Sequence, residues 1–509
     1  MNIIGEIWDE ALKNYAENPA VRWLIKKDVA ERSYKELGDD IYAIRKGLST
    51  KGYHSAHIAL IGTASVEWIG AYLAITTGDN VAVPLDAGLP AEDLLELLQR
   101  SDSEALFISP KLKALVPQVE ASCPKIKNIW LLQEVADDNI KTVQDLKAEA
   151  LDDAELSVSG PDDIATIIYT SGTTGKSKGV MLTQKNLASN VENVPFENDP
   201  GAVVLSVLPV HHAFCLVMDW LKGFSLGAVV CINDSFMHMV RNMSIFKPDI
   251  MLMVPLMIET IYKRLSVADP SIPAAALAES IFGGNLKTIF TGGAHLDPFY
   301  IEKFEAYGIS VLEGYGMSEC SPVISNNMPS DHKAGSIGKP IPNAEVKIDE
   351  TGEILVRGSS VMKGYYKMPE ETAETLKDGW LHTGDKGYLD EDGFLFINGR
   401  VKNLIILSNG ENISPEEIEN KLALAPLVGE VIVTGENNGL TARIYPDQDV
   451  VGAKNLDADT IKAGLQAMID EYNKNQPTYR QITGLVVRNN PFIRNATGKI
   501  KRTDAEIDG

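Results

Sequence analysis

An apolar run, Ala165–Tyr169, stops at Thr170-Ser171-Gly172-Thr173-Thr174-Gly175-Lys176-Ser177-Lys178-Gly179. These ten residues hold three glycines, five hydroxyls and two lysines. Glycines let backbone N–H groups close around an anion, and hydroxyls add donors without bulk. Lysine brings a mobile positive charge. Because an apolar strand leads straight into it, the segment reads as a phosphate cradle rather than a plain surface loop. It is not the P-loop of the NTPases: Gly175-Lys176-Ser177 supplies the end of GxxxxGK[ST], but residue 170, where the first glycine belongs, is Thr.

Strand-then-helix grammar surrounds the loop. Ser33-Tyr34-Lys35-Glu36 is a capping box, and a helix through Leu48 should follow. His57–Ile61 and Val81–Leu85 read as strands, Val66–Ile75 as a helix, and Pro90 opens a helix from Ala91 to about Arg100. Val203–Pro209, Ile250–Val254, Thr288–Thr291 and Ile309–Leu312 are further strands, the last ending at Glu313-Gly314-Tyr315-Gly316. Alternation of this kind implies largely parallel sheets buried on both faces. After about Glu345, GEILVRG and LDEDGFLFINGR read as a small antiparallel unit. Ser414-Pro415-Glu416-Glu417 is a second capping box, opening a helix to about Leu424. Strands at Val428–Val433 and Thr441–Tyr445 and a helix over Thr460–Tyr472 complete the tail. The expected fold is α/β: a large N-terminal domain over 1–399 with stacked sheets and a small β unit, then a small mobile α+β C-terminal domain over 400–509.

The chain has 509 residues with 47 basic and 70 acidic side chains, a formal charge of −23. That acidity argues against nucleic acid and against anionic membrane surfaces. Small anions need only a local patch: Lys176, Lys178 and Lys185 supply one, and Arg494, Lys499, Lys501 and Arg502 another. The four cysteines form no CxxC pair, so neither a zinc site nor a redox couple is indicated. Scattered thiols, no basic leader and no apolar run of membrane length point to a cytoplasmic protein with no transmembrane segment.

More motifs follow the loop in order. They are Leu208-Pro209-Val210-His211-His212, Gly292-Gly293-Ala294, Tyr315-Gly316-Met317-Ser318-Glu319 and Gly379-Trp380-Leu381-His382-Thr383-Gly384-Asp385. Beyond them lie Gly399-Arg400-Val401-Lys402-Asn403 and Thr497-Gly498-Lys499. Alone, a glutamate after a glycine turn or a lysine near the end is more often a solvated charge. Together, over nearly the whole chain, they resemble the adenylate-forming (AMP-binding) superfamily of acyl-CoA synthetases, peptide-synthetase adenylation domains and luciferases. Ser318 stands where threonine is usual, and Asn403 where aspartate is common.

The resemblance implies roles. Thr170, Ser171, Gly172, Thr173, Thr174, Gly175 and Lys176 would embrace the phosphates of ATP. Tyr315 would stack on adenine, with Glu313, Gly314 and Gly316 beside it and Gly292, Gly293 and Ala294 against the ring. Ser318 would contact phosphate, and Glu319 would bind Mg2+. Asp385 would accept from the ribose hydroxyls, and Arg400 would reach ribose or phosphate. His212 would lie beside the acid's carboxylate, and Lys499 would bridge that carboxylate and the α-phosphate. Lys402 would be the hinge, and Gly410 would belong to the face shown to the thiol. The implied activity is adenylation of a carboxylic acid, then acyl transfer to coenzyme A, with release of AMP and pyrophosphate. The branch most resembled is that of medium- and long-chain fatty acyl-CoA ligases. An aryl-acid CoA ligase, or a ligase loading an acyl-carrier protein, would use the same chemistry. A non-catalytic nucleotide-binding protein is the remaining alternative, though Glu319, Asp385, Arg400 and Lys499 are all present.

Overall fold

The computed structural model describes residues 1–135, 139–170, 177–197, 199–266, 271–406, 412–436, 439–494 and 500–502. The chain divides into two compact units: Met1–Val346 with Val356–Leu381, and Lys347–Leu355 with His382–Gly509.

Two sheets form the first unit. One has seven strands in the order Gly364–Tyr365, Lys178–Thr183, Ile164–Thr170, Val81–Leu85, His57–Ile61, Ala105–Ile108, Asn128–Leu131. The other has nine, in the order Lys339–Pro340, Val323–Asn326, Ser310–Gly316, Thr288–Thr291, Ile250–Met253, Val203–Ser206, Val229–Ile232, Pro19–Ile25, Asp28–Ser33. Central pairings in both are parallel. Antiparallel strands lie at both ends of the nine-stranded sheet and at one end of the seven-stranded sheet, whose other end, Asn128–Leu131, pairs parallel. Val81–Leu85, Ala105–Ile108 and Ile250–Met253 are buried at every position, so they read as unbroken apolar runs.

One core joins the facing sides of both sheets, with Ile58, Ile168 and Val180 from one and Val204, Val230 and Leu312 from the other. Trp8, Tyr34, Trp68, Tyr72 and Trp220, carried on intervening helices, fill the space between. A second core covers the outer face of the nine-stranded sheet with helices Met239–Phe246, Pro255–Ser266 and Pro298–Glu305. A third covers the seven-stranded sheet with Ala91–Arg100 and Val116–Ser122. The stacked-sheet expectation is met. Strand ends differ where a distant neighbour decides them. Ser310–Gly316 runs through the Tyr-Gly motif because Val323–Asn326 pairs with Gly314–Gly316.

The second unit contains the hairpin in which Asp385–Leu389 pairs with Leu395–Arg400. It also holds a three-stranded sheet of Val428–Glu436, Gly439–Pro446 and Ile482–Val487, backed by helices Pro415–Leu422 and Ala458–Lys474. Of the two expected capping boxes, that at Ser33 forms in full. The one at Ser414 does not. Glu417 is drawn to Arg480 instead, and the Ser414 hydroxyl donates to Glu416. Among the described residues, no helix is long and apolar enough to cross a membrane.

Candidate active site

Both sheets present strand ends in the same neighbourhood. In α/β folds, ligands bind where strands end and loops diverge. The strand Ile164–Thr170 delivers Thr170, half-buried, directly opposite Lys178 of the returning strand. The strands on either side of the glycine loop are therefore an antiparallel pair. Gly179 has no room for a side chain: a Cβ there would stand 2.9 Å from Ile167 and 3.2 Å from Tyr169. Ser171, Gly172, Thr173, Thr174, Gly175 and Lys176 lie outside the described residues.

Glu319 sits in the short turn Ser318–Cys320, just past the strand Ser310–Gly316. Its carbonyl accepts the backbone N–H of Met362, and its Oε1 accepts the hydroxyl of Tyr365 at 2.7 Å. The Tyr365 ring lies 4.8 Å from Lys178 Nζ. Burial, and then the Glu319 charge, push the Tyr365 phenol well above its ordinary value, so it remains a donor at neutral pH. One tyrosine thus fastens the strand leaving the loop to the carboxylate turn. Asn190, fully buried, secures the same turn by donating to the carbonyls of Cys320 and Val323. Gly316 leaves no space for a Cβ against the Pro322 carbonyl.

Glu313, Gly314 and Tyr315 lie on the strand beside Thr288–Thr291, with Thr291 opposite Glu313. Gly292 follows and is buried; Gly293 takes φ +82° and is exposed, as is Ala294. A Cβ on Gly292 would meet the Gly314 carbonyl at 3.0 Å and the Phe214 ring at 4.0 Å. Close backbone approach there explains glycine at 292, and at 314 a Cβ would meet the Ser325 carbonyl at 3.3 Å. Glu313 is buried, and its Oε1 accepts the Leu296 N–H at 3.4 Å. Burial raises its carboxyl to about 8.

His212 is exposed, ahead of a nine-residue π-helix, Phe214–Lys222. Its neighbour His211 is half-buried, and its Nε2 stands 3.8 Å from Asp86 Oδ2. Burial outweighs Asp86 and lowers His211 to about 4, so it is neutral at pH 7. The helix also buries Asp219 completely, and burial raises that carboxyl to about 7.

In the second unit, Asp385 and Arg400 stand directly opposite each other in the hairpin register. Arg400 Nε contacts Asp385 Oδ1 at 3.0 Å, with Asp385 buried and Arg400 exposed. Thr383 accepts the Asp385 N–H at 3.1 Å and donates to the Ile354 carbonyl at 2.7 Å, which sets the aspartate's backbone. Lys402 is exposed in the turn Val401–Asn403, and Asn403 donates to Glu416 at 2.6 Å. Gly410 and Lys499 lie outside the described residues.

The predicted site residues therefore gather in two groups. One comprises Thr170, Gly292, Glu313–Gly316 and Glu319 of the first unit. The other is the Asp385–Arg400 pair of the second. Tyr365, Asn190 and His211 are additions that sequence reasoning missed. Tyr365 and Asn190 belong to no motif, and only folding brings them to Glu319.

Comparison with known proteins decides the family. The AMP-binding enzyme model matches residues 8–366, and the AMP-binding enzyme C-terminal domain model matches 402–508. The chain belongs to the AMP-binding enzyme family. It is 30% identical to the rat long-chain-fatty-acid–CoA ligase 5, over 87% of this chain and 74% of that protein. It is also 30% identical to the indoleacetate–CoA ligase of Aromatoleum aromaticum, over 93% of this chain and 92% of that one. The ATP-bound structure of MatB from Rhodopseudomonas palustris superposes with a TM-score of 0.80 at 25% identity, covering 98% of this chain and 97% of that one.

Proposed function

We propose that this enzyme is an AMP-forming acid–thiol ligase that activates a carboxylic acid, a fatty acid, with ATP and transfers the acyl group to coenzyme A. The observation that carries the reading is the Tyr365 link. It brings the exit of a glycine–hydroxyl–lysine loop and a carboxylate turn together, as a nucleoside triphosphate and its cation require. The relatives are CoA ligases, which supports coenzyme A as the acceptor over an acyl-carrier protein.

In the first step, a carboxylate oxygen attacks the α-phosphorus and the bond to pyrophosphate breaks. Lys499 would offset the repulsion between the two anions. His212 lies near the acid, Tyr315 on adenine, Ser318 on phosphate, and Asp385 with Arg400 on the ribose side. Magnesium would be held by Glu319 and phosphate oxygens, where it neutralises phosphate charge. That donor set suits an ion bound through one or two carboxylates plus phosphate oxygens. Among the described residues, no group of three or more acids, histidines or cysteines forms a cage of its own. In the second step the thiol sulfur attacks the acyl carbonyl and AMP leaves. The portion 400–509 turns about Lys402 between steps, withdrawing Lys499 and presenting the face around Gly410. The family matches, ending at 366 and resuming at 402, support a hinge at that point. A cytoplasmic location completes the reading; the four cysteines are free and buried.

Pyrophosphate release across aliphatic, aryl and amino acids tests the first step. Thioester formation with coenzyme A against a carrier protein tests the second. Aliphatic acids and coenzyme A are expected. The indoleacetate ligase, matched over nearly its full length, supports an aryl acid as the second reading. Adenylate formation without any acyl-CoA would overturn the acceptor.

A further inference from the structure

The strand Lys178–Thr183 leaves the loop flanked on both sides. Ile164–Thr170 lies on one side and the two-residue strand Gly364–Tyr365 on the other. On the second side the Tyr366 N–H reaches the Gly179 carbonyl at 2.7 Å, and there the neighbour runs out: Lys367 turns away at φ +56°. In an antiparallel ladder, residues two apart point their carbonyls to the same side. The next carbonyl on this side belongs to Ser177, the first described residue after the loop. Arg100 takes it, donating from a guanidinium nitrogen at 2.7 Å. The arginine ends the helix Ala91–Arg100 and lies 77 residues away in sequence. Its other nitrogen pairs with Glu96 at 3.2 Å, and its guanidinium lies 5.9 Å from the Tyr169 ring.

The remaining support comes from the same helix end. Asp102 accepts the Tyr366 hydroxyl at 2.6 Å and pairs with Lys125 at 2.8 Å and with Lys367. Burial works against its charge, but these bonds hold its carboxyl well below the usual carboxylate range. Ser177 and Gly179 are thus both fastened to one block, built on residues 100–102 and 366–367. Lys178 between them is left facing the Tyr365 ring.

We propose that Arg100 is a positioning residue for the ATP site, extending the strand ladder by one rung at the Ser177 carbonyl and so fixing where the strand Lys178–Thr183 leaves the phosphate loop. This rests on the reading of the loop as the cradle for the phosphates of ATP, two of which AMP lacks. It follows that Arg100 acts on ATP but not on AMP or the acid.

The test is equilibrium binding of ATP and of AMP to the full chain, with KM values for ATP and acid and a melting temperature. Arg100→Ala should weaken ATP binding and raise KM for ATP roughly tenfold, leaving AMP affinity and KM for the acid unchanged. Arg100→Lys, which keeps one donor, should recover part of the loss. Glu96→Gln, which removes only the ion pair, should change neither constant. Unchanged ATP binding in Arg100→Ala would overturn the proposal. So would an equal loss of ATP and AMP binding with a lowered melting temperature, which marks a structural role. If the wild-type chain binds no ATP, the function reading falls, and the proposal with it.

Discussion

Tyr365 donates its phenolic hydrogen to Glu319 Oε1 across 2.7 Å, 46 residues apart in sequence. One carboxylate oxygen accepts from the tyrosine; in the proposed mechanism the other would face the cation that accompanies ATP. The Tyr365 ring also lies 4.8 Å from Lys178 Nζ.

Tyr365→Phe should therefore lower the adenylation rate about tenfold and raise the Mg2+ concentration needed for half-maximal pyrophosphate release. A hydrogen bond to a charged group contributes about 1.5–3 kcal/mol. The melting temperature should fall only slightly, because the ring and its packing remain. A magnesium titration of pyrophosphate release, run beside thermal melts, checks this.

Glu313 gives a pH prediction. Its carboxyl moves from an ordinary 4.5 to about 8 through burial, so the folded chain holds a proton that the unfolded chain has lost. Across that window the unfolded state binds fewer protons, and stability falls as pH rises. This contribution is fully present below about 4.5 and is lost as pH passes about 8. Glu313→Gln keeps the shape without the titration. It should become progressively more stable than wild type across the window, by on the order of 5 kcal/mol at its upper end. Denaturant unfolding of both proteins at several pH values reads the difference.

Gly316→Ala should damage the fold rather than the chemistry. A Cβ there falls far inside contact with the Pro322 carbonyl, a backbone atom that cannot swing aside. Overpacking of this sort costs about 1–3 kcal/mol. A drop in melting temperature with weakened AMP binding is expected, since Tyr315 and Glu319 sit on either side.

Much of this architecture was legible in the chain. The helix Ala91–Arg100 follows Pro90 as read, and Thr288–Thr291 forms where its apolar residues place it. Such elements are set by local rules. The misses share a cause: a distant partner competes with the local rule. Ser414 loses its capping box because Arg480 takes Glu417. The strand at Ser310 outruns its apolar stretch because Val323–Asn326 pairs with its glycines. In the candidate site, motifs pointed to Glu319, Asp385 and Arg400. Asn190, Tyr365 and Arg100 carried no signal, since their function lies in what they support. His212 was chosen by its place in a motif, and sequence alone does not show that His211 is the less exposed of the two.

The central claim is that one active site performs two half-reactions and that Lys499 serves only the first. Lys499→Ala, assayed separately for pyrophosphate release and for thioester formation from preformed acyl-adenylate, tests it most directly. The first rate should fall by at least about a hundredfold, the loss of roughly 3 kcal/mol or more of transition-state stabilisation, while the second stays near that of the wild type. Equal loss of both rates would contradict the account.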